Sequence, residues 1–516
     1  MVAKCENGEK RKMDEGSLQV FTNCHWERLA AVSHCSVNKG RRDRIRGNSI
    51  YRTTMAPGGY KDDTFLVIQP GAQHTLVTLG LQDPLGLPTL SAPTRVYVRQ
   101  GSNENGESTT LYSMTEQEGY VELLPIVMGT IVDLEALKFF IHSIAVSVLK
   151  EREEDEDQHT LAIESVNLLI VQSSSNWNPI HIEKIVNFGF ETMKLHSIAV
   201  VPIALCSVFA FGSIANALVI DIGYEKSEIL PVIDYQLFSP SKTVIYKGGN
   251  TINESLAKLL PTFSKAQIES LKKSSVFECL SEEDAKKSFF GMEGLIENID
   301  DNNNDDDGVL DIAAVVTSDK STREILETTT KKGKKEVDTR PNSELETNTF
   351  LDDDGKELTI GKERFQGCGD LIDDLVLNIY HSLRKIPDLK KRQDCYDNII
   401  ITGQTSKIKG LKEKIMFHLF DKYVVLSDNK LLQPQSQFRN DVRPVDDSSI
   451  TQVPRHLRLV PKIDYFHEWK KHGFEDCSFL GAQILSKQVF TPSNEFCLSK
   501  ETYDESGPSA IWSIHL

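Results

Sequence analysis

A β-hairpin leading into helices and buried strands is written twice along this chain. In the first copy TFLVIQ and HTLVTLGL, from Thr64, read as two strands joined by a turn around Pro70-Gly71; in the second, ALVIDI and SEILPVIDY flank a turn at Gly223-Tyr224-Glu225. Both pairs are apolar runs rich in β-branched residues and bounded by Gly or Pro, the pattern of strands that pair across a turn. TRVYV adds a shorter strand, followed by the polar loop RQGSNENGEST. From Val132 the period lengthens, placing Leu134, Leu137, Ile141, Ile144 and Val148 on one helical face before the charged run KEREEDEDQ. LAIESVNLLIVQ then reads as a buried strand, and Ile180 to Met193 as a second helix. A supersecondary unit that recurs in this way is the trace of a duplicated α/β domain.

Ser197 to Ile220 carries no charge over 24 residues, long enough to span a bilayer. Pro202, Gly212-Ser213 and Asn216 punctuate it and Asp221-x-Gly223 follows, so it is read as a buried helix running into a buried strand. The chain of 516 residues has 58 basic and 75 acidic side chains, a net charge of -17 that excludes broad electrostatic docking onto DNA phosphates or anionic lipid. Its nine cysteines contain no C-x-x-C and stand by no His pair at zinc spacing, so neither a disulfide framework nor a metal site is expected and a reducing compartment fits. The N-terminus is charged and lacks the apolar core of a secretory signal.

Residues 1–54 show no sustained period, and strand-like sequence begins only after Met55. They are expected to be an extension outside the fold, disordered or the product of a start assigned too early; the alternative is an import or nucleic-acid-binding arm built on NKGRRDRIRG. ENIDDNNNDDDG (Glu297 to Gly308) and the basic TKKGKKEVDTR after it read as a solvated insertion, with histone-tail binding by the acidic tract as the sharper alternative.

Several stretches, in order, resemble the actin superfamily: ALVIDIG (Ala217 to Gly223), DGKELTIGKERFQGC (Asp354 to Cys368), NIIITGQTSKIKGLKEKI (Asn398 to Ile415), FLGAQILSK (Phe479 to Lys487) and YDESGPS (Tyr503 to Ser509). QIESLKKS (Gln267 to Ser274), STREILE and YFHEWKKHGFEDCSFLGAQILSKQVFT (Tyr465 to Thr491) are similar to the actin-related subunits of fungal chromatin remodellers. The resemblance implies an α/β, actin-like fold of the duplicated RNase H type, with two lobes and four subdomains. Residues 55–200 would form lobe one, with a small second subdomain at about 98–124. Residues 201–450 would form lobe two, with its upper subdomain and the acidic insertion at about 250–345, and residues 451–516 would return to lobe one.

In that family two hairpin turns present backbone N–H groups to nucleotide phosphates, carboxylates at strand ends hold the metal's waters, and a polar side chain orients the attacking water. Here the acid of the first strand is Gln69, the cation of the return strand falls at Thr78, and the water-orienting glutamine falls at Ile203. Losing the last alone lowers such a rate by about 10²–10⁴-fold. Asp221 and Gly223 persist, but Glu225 and Glu228 replace a glycine and a histidine, and a carboxylate about 6 Å from a phosphate repels it by about 2–3 kcal/mol at an effective dielectric near 20. The paired glycines of the adenosine loop become Gly403-Gln404. No catalytic residue or metal ligand is therefore expected, and ATP binding is expected to be weak or absent. Asp221, Gly223, Gly249 and Gly403 remain as a vestigial pocket kept for turn geometry.

The resemblance then implies a nuclear scaffold rather than an enzyme. It would pair with a second actin-related protein and clasp the helicase-SANT-associated helix of a remodelling ATPase, beside other remodeller subunits, touching the nucleosome only indirectly and no membrane. The groove carried over for that helix is Phe209, Ala210, Gly212, Leu480, Ile484 and Leu485. The competing reading is an actin-like ATPase with a cytoskeletal role, which needs an acid in place of Gln69; Asp62 and Asp63 lie before the strand rather than at its loop end.

Overall fold

The computed structural model describes residues 61–102, 108–153, 161–279, 342–424, 453–491 and 496–514. The N-terminal extension, the acidic tract and the basic run after it lie outside the described residues.

The first repeat begins with β1 (Phe65–Pro70), β2 (His74–Leu79) and β3 (Leu90–Pro93). A small antiparallel sheet of β4 (Val96–Ser102), β5 (Ser108–Ser113) and β6 (Val121–Leu123) follows, then the two-residue strands β7 (Ile126–Val127) and β8 (Thr130–Ile131). Next come α1 (Leu134–Glu153), β9 (Asn167–Gln172), α2 (Pro179–Glu191), β10 (Ser197–Pro202) and α3 (Ile203–Ala210). The second repeat has β11 (Ala217–Ile222), β12 (Ser227–Ile233), β13 (Gln236–Leu237), β14 (Thr243–Ile245), α4 (Gly249–Leu259) and α5 (Lys265–Lys273). Beyond residue 341 run β15 (Asn348–Leu351), β16 (Glu357–Ile360), α6 (Gly369–Leu383), α7 (Leu389–Asp397), β17 (Ile399–Thr402) and α8 (Leu411–Tyr423). The chain closes with α9 (His467–His472), α10 (Cys477–Val489), β18 (Leu498–Ser499) and α11 (Lys500–Ser506).

The duplication is explicit in the pairing. β1 runs antiparallel to β2 and parallel to β9, while β11 runs antiparallel to β12 and parallel to β17. The six-stranded first sheet has the order β18-β10-β9-β1-β2-β3; the second is β13-β12-β11-β17, with β14 on β12. Strand alternation sorts the side chains into three cores. Leu66, Ile68, Leu168 and Ile170 face α1 and α2, and Leu218, Ile220 and Ile222 face α4, α6 and α8. Phe65, Val67, Leu169, Val219, Leu230 and Ile400 point the other way, from both sheets, onto α3 and α10. Those two helices are thus a middle layer shared by both repeats.

This layering accounts for the uncharged run. It is strand, helix and strand: Ser197 to Pro202 is β10, where a helix was expected, and α3 occupies only Ile203 to Ala210. Periodicity cannot separate a buried strand from a buried helix, and Pro202 marks the change. All residues of α3 but Phe209 are buried, as a helix between two sheets requires. Among the described residues no helix is long and apolar enough to cross a membrane. α3 and α10 touch at Gly481, where a Cβ would run into the Cys206 carbonyl, 2.6 Å from its carbon and 3.0 Å from Ala210 N.

The YDESGPS run belongs to the first repeat. β18 pairs antiparallel with the outer edge of β10. Tyr503 stacks on Phe190 at 4.6 Å and its hydroxyl accepts a 2.7 Å hydrogen bond from Asn187, while Trp512 Nε1 donates to Glu183 at 2.8 Å. In the second repeat the Arg of KERF is fully buried: Arg364 donates to the carbonyls of Asn342 (2.7 Å) and Leu345 (2.6 Å). Asn342 in turn donates to the Val276 carbonyl at 2.8 Å, so the chain leaves and re-enters the described fold side by side.

Candidate functional site

The candidate site is where the C-terminal ends of β1, β9, β11 and β17 converge. At the end of β1, Gln69 accepts a 3.1 Å hydrogen bond from the Ser478 hydroxyl at the start of α10. The residue across the hairpin from Gln69 is Leu76, whereas Thr78 stands opposite Val67 and its hydroxyl accepts from Thr89 N at 3.1 Å. The side chain facing Gln69 is therefore Leu76 and not Thr78, and neither is a cation. Ile203, 4% exposed, lines a cavity of about 300 Å³ with Trp177, Leu230 and Trp512.

At the second turn the two repeats are latched together. Lys226 immediately precedes β12 and Glu228 is its second residue; the two form an ion pair inside the fold, with Glu228 fully buried. Glu228 also accepts hydrogen bonds from the Ser174 hydroxyl (2.6 Å) and the Ser175 N–H (3.0 Å), both just beyond β9. Burial raises the Glu228 pKa, but the charge of Lys226 and the hydrogen bonds from Lys226, Ser174 and Ser175 outweigh it, leaving the carboxyl below its ordinary range. Glu225 accepts from Met128 N at 2.6 Å, in the β7–β8 turn. The Lys226 stem crosses Gly129, where a Cβ would lie 2.6 Å from Lys226 Cδ and 2.7 Å from Ser174 Oγ. The two glutamates are thus not bare charges awaiting a phosphate. They are spent on the opposite repeat, and Lys226 fills the space between.

Asp221, Gly223, Gly249 and Gly403 do come together. Gly223 N–H closes the hairpin onto the Lys226 carbonyl at 2.9 Å, and the Gly223 carbonyl accepts from Gly249 N at 3.0 Å and from the Thr405 hydroxyl at 2.8 Å. Gly403 follows β17 at φ +91°, a conformation that favours glycine, and a Cβ there would lie 2.7 Å from Asp221 Oδ1. Gln404 extends its side chain to Asp476. Burial pushes Asp221 up to about 6, with Lys226 opposing and Glu228 and Asp476 adding to the rise. An acid whose folded pKa lies above its unfolded value destabilises the fold once pH exceeds the unfolded value, and the penalty is complete above the folded one. Asp221→Asn is therefore expected to raise stability by up to about 3 kcal/mol at pH 8 and to leave it unchanged near pH 3.5. Thermal unfolding of both proteins across that range checks this.

The N-terminus of α4, which packs against the second hairpin turn, has its first donors already engaged. A helix N-terminus binds an anion through free N–H groups. At α4 the N–H of Gly249 goes to Gly223, that of Asn250 to Tyr224 at 2.7 Å, and that of Thr251 to Gly248 at 3.0 Å. No group of three or more His, Cys, Asp or Glu among the described residues is placed to hold a metal ion.

The six groove residues divide. All lie on or just beyond α3 and α10, but Ala210, Leu480 and Leu485 are at most 1% exposed and belong to the middle core. Ten of the thirteen residues of α10 are buried, so Leu480 and Leu485 both turn inward, and Ala210 meets that helix from α3 at Gly481. Phe209 and Ile484 are half-buried and Gly212 is exposed, so only these three present surface. Lys226, Ser174 and Met128 were missed as site residues. The K-x-E spacing leading into β12 was a signal for Lys226; Ser174 and Met128 carried none.

A family model for actin matches residues 62–435. The chain is also 25% identical over 536 aligned positions, covering 88% of it and 99% of the relative, to a Schizosaccharomyces pombe protein described as a SWI/SNF and RSC complexes subunit, arp9. With paired hairpins feeding two mixed sheets, a helical layer between them and a family match over most of its length, the chain belongs to the actin family.

Proposed function

We propose that this protein is a non-catalytic scaffold subunit of a chromatin-remodelling complex of the SWI/SNF or RSC type, working in the nucleus. It pairs with a second actin-related protein and holds the helicase-SANT-associated helix of the remodelling ATPase; contact with the nucleosome runs through other subunits. The observation that carries the non-catalytic half is the latch: at the second hairpin turn, which the family resemblance makes a phosphate-facing turn, Lys226, Glu228 and Ser174 satisfy one another. The likeness to the fission-yeast subunit, end to end on that protein, supports the choice of complex. For the helix, the surface at hand is Phe209, Gly212 and Ile484, where an apolar anchor would seat.

Titration calorimetry on the full chain, with magnesium-ATP and separately with the remodeller's helix, tests both halves. No heat is expected with ATP. Tight binding is expected with the helix, weakened about tenfold or more by Ile484→Asp. Micromolar ATP binding with phosphate release would replace this reading by an actin-like ATPase. Helix binding indifferent to Ile484→Asp would move the partner surface elsewhere.

A further inference from the structure

Two thiols that stand far apart in the sequence meet in the core of the second repeat. Cys279 lies beyond α5, at the point where the described chain breaks off before residue 280, and Cys368 is the residue that caps α6. They are 89 positions apart, yet their Sγ atoms lie 2.8 Å from each other, with Cys279 5% and Cys368 2% exposed. Both backbones are held. Cys279 N donates to the Lys409 carbonyl at 2.8 Å, Lys414 Nζ donates to the Cys279 carbonyl at 3.1 Å, and Cys368 O accepts from Ile372 N at 3.1 Å in the first turn of α6. A sulfur–sulfur bond of about 2.05 Å is therefore within reach of side-chain movement alone.

We infer that Cys279 and Cys368 form an oxidisable pair whose disulfide ties the segment that follows α5 to the start of α6. The step needs a two-electron oxidant such as a peroxide. One thiolate attacks the peroxide oxygen to give a sulfenic acid and a first water; the second thiol displaces the sulfenic oxygen as a second water, leaving the S–S bond. Two electrons leave the sulfur pair and both thiol protons end in water. The hydrogen bond to Cys368 and burial hold the Cys279 thiol well above its usual range, so the thiolate is scarce and the oxidation slow. The fold around the pair is prepared for the link. Asn342 already bonds to Val276, and Arg364 holds Asn342 and Leu345, so a bond at Cys279 makes covalent a closure that is now non-covalent.

The test uses the folded full chain treated with hydrogen peroxide, alkylated, digested without reductant and read by mass spectrometry. A peptide pair joining Cys279 to Cys368 is expected, lost on adding dithiothreitol, together with a melting temperature several degrees higher in the oxidised protein. Cys368→Ser abolishes both changes, and Cys395→Ser, which alters another buried thiol, leaves both in place. Full alkylation of Cys279 and Cys368 after oxidation overturns the inference, as does linkage that forms only after denaturation. Because the cross-linked peptide is read on the unsubstituted protein, the result stands even where a serine variant fails to fold.

Discussion

Lys226→Met is expected to destabilise the protein by about 3–5 kcal/mol at pH 8, the range for stripping one partner from a buried ion pair. Glu228 has no exposed surface and would keep only the donors of Ser174 and Ser175 against the loss of a full charge. The sign of the pH dependence follows. In the parent protein Glu228 has a depressed pKa, so its contribution is present above the unfolded value near 4.5 and fades as pH falls through the folded one. Without Lys226 burial dominates, the folded pKa rises, and the penalty is largest at high pH and shrinks as Glu228 protonates. Melting temperatures at pH 8 and pH 4.5 should therefore converge toward the parent at the lower value. The double variant Lys226→Met with Glu228→Met should recover most of the loss, since removing both charges leaves none unpaired. A single variant as stable as the parent at pH 8 would mean that the latch does not bind the two repeats together.

Gly481→Ala is expected to cost about 3 kcal/mol or more, an overpacking effect at the upper end of the usual range. The new methyl meets backbone rather than a flexible side chain, so α3 and α10 must separate to admit it. Gly212→Ala makes the contrast. Its φ is +90° and nothing lies within 4 Å of a Cβ there, so only backbone strain is charged, about 1 kcal/mol. Both are read as shifts in melting temperature. Gly481→Ala should also weaken helix binding, because Phe209 and Ile484 sit on the two helices it drives apart. Equal shifts for the two glycines would show that the helix crossing relaxes more easily than its geometry implies.

The hairpins and the face of α1 were open to reading because they are local: Leu137, Ile141, Ile144 and Val148 are buried as their spacing required. Asp221, Gly223, Gly249 and Gly403 could be grouped only through the resemblance to actin, since the contacts that gather them are non-local: the Gly223 carbonyl is held by Thr405, 182 positions away. β10 was lost inside the apolar run, where strand and helix carry the same composition. Leu480 and Leu485 looked available for a partner because their burial depends on α3, a helix more than 260 positions away in the sequence, coming close enough at Gly481. The latch was harder still. Glu225 and Glu228 could be seen to replace smaller or neutral residues, but their partners Met128 and Ser174 lie 97 and 54 positions away.

The return of β18 to the edge of β10 sets an order of events during synthesis. Ser197 pairs with Ser499, so the first sheet waits for about 300 further residues before its last strand exists. At about 5–20 residues per second on the ribosome that interval is on the order of 15–60 s. Throughout it the outer edge of β10 and the Phe190 surface that Tyr503 covers face solvent, an open template for a foreign strand. The second repeat closes earlier: past α8 its core and β17 still await Leu457, Arg458 and Glu475, all of which precede β18.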